Sequence, residues 1–340
     1  MTTKKQEKNN STAQRLSRYA VRKKTLNVLG LIFRYTILIC IGFLIITPIY
    51  QTFKEGITEQ SMLGFSNSAW VPPATSMQSF LEAYLILDYP KGLLFSIFNT
   101  LILAFLQTAC AALAAYTFAR LKFKGSSILF AIVIFSIIVP SQSIMLAQYI
   151  SFKNFDIFGL IKLIKGEPLN LIGSTFSVYL LAATGMGVKG GLYIYILRQS
   201  YRQLPVSIEE AAYVDGAGFL KTFFHIVLPE VSASLLTVSV LSFVWNYSDR
   251  YLISLLMGNK ARGLQLSLLL SDVQGRMRWA IQDLQSKMPA TYVMNWESPL
   301  IQKGVLSACA FLVILPLIIL YFFVQKKFIQ GVERSGLGGD

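Results

Sequence analysis

The stretch EAAYVDGAGFLKTFFHIVLP, Glu210 to Pro229, decides how this chain is read. It sets Glu210, Asp215, Lys221 and the only histidine, His225, between two long apolar runs. Just upstream, Ser207, Ile208, Glu209 and Glu210 form an S-x-x-E capping box, in which the serine hydroxyl accepts from an orphan helix amide and Glu210 reaches back to the cap. A short helix is expected through Ala211, Ala212 and Val214. Gly216 suits the left-handed position that closes it, because glycine carries no Cβ. Phe219, Phe223, Phe224 and Ile226 then recur on neighbouring turns, and Pro229 ends this second piece and opens the next apolar run. The pattern predicts helix, turn and helix on a membrane surface. On the residues alone, an interfacial linker and a docking element for a soluble partner both fit. Its alanines and glycines permit close backbone approach, and an exposed Glu210 offers a carboxylate to a partner's arginine.

Outward from this stretch the chain is apolar. Of 340 residues 54% are hydrophobic and 14% charged, against about a quarter charged in a soluble domain, and the mean hydropathy is +0.54. Several runs match the ~20 apolar residues that cross a bilayer. They predict an all-α membrane protein with six transmembrane helices, at 29–50, 93–119, 127–149, 171–197, 231–257 and 304–324. Lys and Arg gather in the N-terminal tail, in RLKFKG (Arg120, Lys122, Lys124) and in the C-terminal Lys326, Lys327 and Arg334. The preference of such residues for the inner face puts both termini and the Glu210 loop in the cytoplasm, the loop between spans four and five. That distribution accounts for the net charge of +14 without nucleic acid. The tail, polar and basic, reads as disordered, and anionic lipid is its expected contact.

Several chemistries are excluded. Cys40, Cys110 and Cys309 lie in apolar runs without metal-ligand spacing or a disulfide framework. No nucleophile, base and orienting group form a catalytic set, and no metal site is visible. There is no G-x-x-x-x-G-K-[ST] phosphate loop, so this chain is not expected to hydrolyse ATP. A literal G-x-G-x-x-G occurs as GMGVKG, Gly185 to Gly190, but inside the fourth apolar run and without a preceding strand; helix packing through small residues is the better account. Lys189 in span four, and Asp249 with Arg250 in span five, are ionisable groups where a membrane disfavours them. Either Asp249 and Arg250 pair locally and Lys189 snorkels, or the three line a path. In the second case Trp245 and Tyr247 stack on sugar faces, Asn246 bonds hydroxyls, and Lys189 with Arg250 suit a carboxylated or sulfated saccharide. Arg34 reads as snorkelling, His225 as a surface or packing residue, and Trp70, Trp279 and Trp296 as interfacial or loop-packing aromatics.

The pattern E-A-A, three residues, G, nine residues, I-x-L-P is filled by Glu210, Ala211, Ala212, Gly216, Ile226, Leu228 and Pro229. It resembles the EAA loop, or coupling helix, of ABC-importer permeases, which sits in a cleft of the ATPase subunit. The run from Asn99, IIVPSQ around Pro140, YILRQSYRQLP, FVWN and YFFVQKKFIQG resemble carbohydrate-importer permeases, most nearly the second subunit of the maltose type. The resemblance spans roughly 90–335. The long basic N-terminal tail and the long outer loop from about Gly258 to Lys303 depart from that pattern. Composition and resemblance together divide the chain into a basic cytoplasmic tail at 1–28, a first span and outer loop at 29–90 and a cytoplasmic C-terminal tail at 326–340. Between them, at 91–325, lies a permease core with the EAA loop at 207–229 and an outer loop at 258–303. The resemblance further implies ATPase coupling through Glu210, Ala211, Ala212, Asp215, Gly216, Ile226, Leu228 and Pro229, and contact from the C-tail at Gln330 and Gly331. The implied partners are a second permease subunit in a heterodimer, two ATPase subunits that hold ATP and Mg, an external sugar-binding protein and lipid. No cofactor is expected on this chain. A stand-alone secondary transporter, or an ABC permease for a glycerol phosphate ester or polyamine, remains an alternative reading.

Overall fold

The computed structural model describes residues 2–66, 70–258, 264–277 and 298–334. All named elements are helices: α1 (Thr2–Ile57), α2 (Leu63–Ser66), α3 (Gln78–Ile86), α4 (Tyr89–Arg120), α5 (Ser126–Ile138), α6 (Ser141–Lys153), α7 (Leu160–Lys165), α8 (Thr175–Ala183) and α9 (Gly190–Gln203). The loop region holds α10 (Val206–Val214), α11 (Phe219–Thr222), a π turn at Phe223–Val227 and α12 (Leu228–Glu230). Then come α13 (Ser232–Ser248), α14 (Tyr251–Met257), α15 (Leu266–Ser271) and α16 (Pro299–Arg334).

Three of the six expected spans come as single helices long and apolar enough to cross a membrane: Lys24–Ile57, Tyr89–Arg120 and Pro299–Gly331. The other three are broken. Span three bends by 111° between α5 and α6, at Val139 and Pro140. Proline removes an amide and disfavours helix at the residue before it. Span four divides into α8 and α9 around GMGVK, where Gly185 and Lys189 take positive φ. Span five divides into α13 and α14 at Asp249 and Arg250.

The tail departs from expectation in the other direction. It continues α1 as helix from Thr2, since its Lys, Gln, Glu, Ala and Arg are good helix formers and neither Pro nor Gly precedes Gly30. On the described part of α1 the long apolar side chains from Leu26 to Ile46 are almost all exposed, so this helix meets lipid or a partner rather than its own core.

α4 is the central post. It packs against α8, α9 and α13, and its buried Ala104, Ala111, Ala112 and Ala115 let those helices close on it. α16 runs antiparallel to α1: Phe53 meets Phe311 at 4.9 Å between ring centroids and Lys303 pairs with Glu55 at 2.7 Å. The C-terminal ends of α4, α9 and α16 and the start of α13 share one end of the bundle, where the Glu210 loop sits.

Candidate functional site

The loop opens at Pro205, the N-cap of α10, with φ −60° and ψ 132°; no side chain caps the helix. Ser207 therefore stands within the first turn and the expected capping box does not form. Proline fixes φ at about −65°, and the cap falls at Pro205, two positions upstream of the serine.

The two adjacent glutamates also separate. Glu210 is exposed, whereas Glu209 is buried. Glu209 accepts from Arg120 Nε at 2.6 Å through Oε1 and from the Tyr116 hydroxyl at 2.7 Å through Oε2. The same guanidinium donates through Nη2 to the Leu204 carbonyl at 2.8 Å. One carboxylate thus latches the loop to the end of the central helix with charge-assisted bonds.

Gly216 closes α10 as expected, at φ +80°. Its amide donates to the Tyr213 carbonyl at 3.1 Å and that of Ala217 to the Ala212 carbonyl at 2.9 Å, the bond pair of a Schellman motif. A Cβ here would meet open space, so backbone conformation alone calls for glycine.

The second piece is seated by aromatics. The Tyr116 ring lies 5.7 Å from Phe219, 4.9 Å from Phe223 and 5.5 Å from Tyr201, contacts worth about 0.5–1.5 kcal/mol each beyond area burial. The piece Phe219–Glu230 meets α13 at 79°, the bend falling at Val231, two residues after Pro229. Of the expected coupling residues, Glu210, Ala211, Asp215, Gly216 and Pro229 are exposed, Ile226 and Leu228 half-buried and Ala212 buried. Beside them Val214 and Leu220 stand 87% and 66% exposed, so the outward face is apolar with a carboxylate rim. His225 is a surface residue.

The two C-tail residues part company. Gln330 is exposed, but Gly331 is buried against α13, where a Cβ would lie 2.0 Å from Thr237 Oγ1 and 2.4 Å from the Ala233 carbonyl oxygen. Gly331 is a helix-packing glycine and offers no surface for a partner.

The three helix breaks converge. Pro140, the Gly185–Lys189 turn and Asp249–Arg250 line one cavity of about 690 Å³. Cys110 of α4 lies in its wall, about 15 Å from Arg120 at roughly 1.5 Å per residue. Four expected path residues meet there: Lys189, Trp245, Asp249 and Arg250. The Lys189 ammonium lies 5.1 Å from the Trp245 ring centroid and the Arg250 guanidinium 5.3 Å from that of Tyr251. The local Asp249–Arg250 pair does not form. Asp249 Oδ1 instead accepts from the Tyr251 and Leu252 amides at 3.1 and 3.4 Å, starting α14.

Asn246 and Tyr247 do not face the cavity. Asn246 donates to Gln107 Oε1 at 2.8 Å and the Ser242 carbonyl at 2.7 Å, and the Tyr247 hydroxyl donates to the Val313 carbonyl at 3.0 Å. Their face of α13 packs on α4 and α16, leaving Trp245 to point the other way. The GMGVKG glycines serve packing: Cβ atoms would lie 2.0 Å from Gln107 Nε2 at Gly187, 2.1 Å from the Gly185 carbonyl oxygen at Gly190 and 2.3 Å from Ser136 Oγ at Gly191. No strand precedes them among the described residues. Trp70 packs on Phe43 and Tyr50; Trp279 and Trp296 lie outside the described residues.

Sequence reasoning passed over Glu209, Arg120, Tyr116 and Gln107. A signal for the first existed: Glu209 and Ala212, three apart, share the inward face of α10. Arg120 was visible only as one more basic residue beside a span.

Residues 107–334 match the family described as "Binding-protein-dependent transport system inner membrane component". The chain is 25% identical over 316 residues to the probable starch degradation products transport system permease protein AmyC of Thermoanaerobacterium thermosulfurigenes, covering 92% of this chain and 96% of that one. It is 26% identical over 325 residues to the maltodextrin transport system permease protein MdxG of Bacillus subtilis, covering 93% and 99%. A crystal structure of a bacterial ABC transporter involved in the import of the acidic polysaccharide alginate contains a chain of the same fold. The TM-score is 0.56 at 16% identity, over 89% of this chain and 97% of that one.

Proposed function

This chain belongs to the family of binding-protein-dependent transport system inner membrane components, and on that premise we propose that it is the permease subunit of an ATP-driven importer of a sugar or oligosaccharide. It crosses the membrane six times, with α5–α6, α8–α9 and α13–α14 as broken crossings, and keeps both termini and the loop of Glu210 in the cytoplasm. A second permease subunit completes the translocation path. Two ATPase subunits carry ATP and Mg, an external binding protein delivers the sugar, and this chain binds no cofactor and hydrolyses nothing.

The observation that carries this reading is the loop. Its inward face is fixed to α4 through Glu209, Tyr116 and Arg120, while its outward face presents Glu210, Val214, Asp215 and Leu220. An exposed apolar patch with a charged rim on a rigid helix is what a soluble partner needs. Partner and permease then move together: nucleotide-driven closure displaces the loop, and the latch passes that motion into α4 and the cavity walls.

The test is co-purification from native membranes. The tagged chain is expected to bring down an ATPase, a second permease and a sugar-binding protein, and Glu210→Ala with Leu220→Asp to lose the ATPase while keeping the second permease. A chain that purifies alone and still transports sinks the proposal.

A further inference from the structure

The cavity's charges carry an inference that rests on the saccharide-importer reading and deepens it. Lys189 and Arg250 come from different helix breaks yet line the same cavity wall. Among the described residues neither has a carboxylate partner, since the ion pairs there lie elsewhere, at Lys91–Asp88, Arg120–Glu209 and Lys303–Glu55. Asp249, which lines the same cavity, directs Oδ1 to two backbone amides, and its Oδ2 is buried without a hydrogen-bond partner. Both cations are held against aromatic faces, Lys189 on Trp245 and Arg250 on Tyr251, which keeps their charge at the wall at little desolvation cost.

Lys189 is committed to this position by its backbone. It takes φ +59° as the N-cap of α9, a left-handed conformation that non-glycine residues rarely adopt. Glycine, asparagine or aspartate relieves that strain. A lysine in that place also lines a cavity in an apolar region of the chain, and ionisable groups so placed mark substrate or ion paths.

We infer that this cavity takes a saccharide bearing a carboxylate, a uronate oligosaccharide, whose anion is held between Lys189 and Arg250 beside the Trp245 indole. The remaining wall, including Ser136, Gln148, Thr184 and Ser248, supplies hydroxyl and amide partners for sugar hydroxyls. Arg250 has the planar fork that matches a carboxylate in two parallel bonds, and Lys189 adds a point charge that adjusts to linkage position.

The experiment uses the whole importer with its binding protein in proteoliposomes loaded with ATP, and compares uptake of labelled trigalacturonate, maltotriose and a sulfated trisaccharide. The wild type is expected to take up trigalacturonate at least tenfold faster than maltotriose. Lys189→Gln with Arg250→Gln is expected to lower trigalacturonate uptake, and with it the ratio of trigalacturonate to maltotriose uptake, more than tenfold. Lys189→Arg with Arg250→Lys, keeping the charge, is expected to retain most of the preference, which a merely structural role would not produce. Uptake of maltotriose alone, or an unchanged acidic preference in the double glutamine variant, overturns the acidic assignment and leaves the saccharide importer standing. Uptake of the sulfated sugar without the uronate overturns the carboxylate. Uptake of none of the three, from an assembly that hydrolyses ATP, overturns the saccharide reading and this inference with it.

Discussion

Two regions of this protein hold charge away from bulk water, and they do it in opposite ways. At the loop end, Arg120 and Glu209 are nearly buried, with side chains 12% and 7% exposed, and each is bonded on more than one side. In the cavity, Lys189 and Arg250 are exposed, each lying near an aromatic ring. A paired charge resists rearrangement, because moving one partner strands the other. A charge resting on a ring can exchange that contact for a ligand. On the function proposed above, the first region transmits motion and the second receives what is moved. The difference is set by geometry rather than by residue type, since arginine serves in both.

The sharpest way to break that comparison is to remove the latch. Glu209→Ala leaves Arg120 without its carboxylate and is expected to cost about 3–5 kcal/mol, the range for a buried pair that loses one member. Thermal unfolding of the purified protein in detergent reads this. A loss below about 1 kcal/mol would mean that the pair behaves as a surface contact and the contrast with the cavity collapses. Next in size is Gly331→Val, which drives a side chain into Thr237 and the Ala233 carbonyl. The expected loss is about 1–3 kcal/mol from overpacking. Gly331→Asp, if tolerated without loss, would return that residue to the surface. The smallest effects belong to the outward residues of the loop. Ser207→Ala and Glu210→Ala are each expected to change stability by less than about 0.5 kcal/mol, though Glu210→Ala weakens ATPase retention. A working serine cap would instead cost about 1 kcal/mol on removal.

The membrane class, the helical loop with its glycine stop and the uninterrupted crossings were legible because each is local. A run of apolar residues, a Gly at φ +80° and a proline announce themselves within a few positions. The breaks were only half legible. Averaging hydropathy over some twenty residues blurs a short turn, so the packing of GMGVKG was legible but not the break it makes, and Asp249–Arg250 read equally as a local pair or as part of a path. Their meeting in one cavity depends on how α5, α9 and α13 cross α4, which no window along the chain contains. Asn246 and Tyr247 were misplaced for the same reason. With Trp245 they are three consecutive residues on a helix and point in different directions, and only packing on Gln107 and Val313 decides which of them faces inward. Glu209 and Glu210 show the limit most plainly. The pattern singles out the second, while tertiary structure puts the first to use, and Arg120, which decides between them, stands far away in sequence.

The elbow at Val231 has a mechanical consequence. The segment Phe219–Glu230 joins α13 at 79°, close to a right angle, and is about 18 Å long at roughly 1.5 Å per residue. It is a crank arm on a shaft. A turn of α13 by ~10° about its own axis sweeps the arm's far end by about 3 Å on that length, and a push of the same size on the arm turns the shaft. Trp245 stands on that shaft and lines the cavity, so in the proposed importer a small stroke at the surface of the bundle is expected to change the heading of the indole.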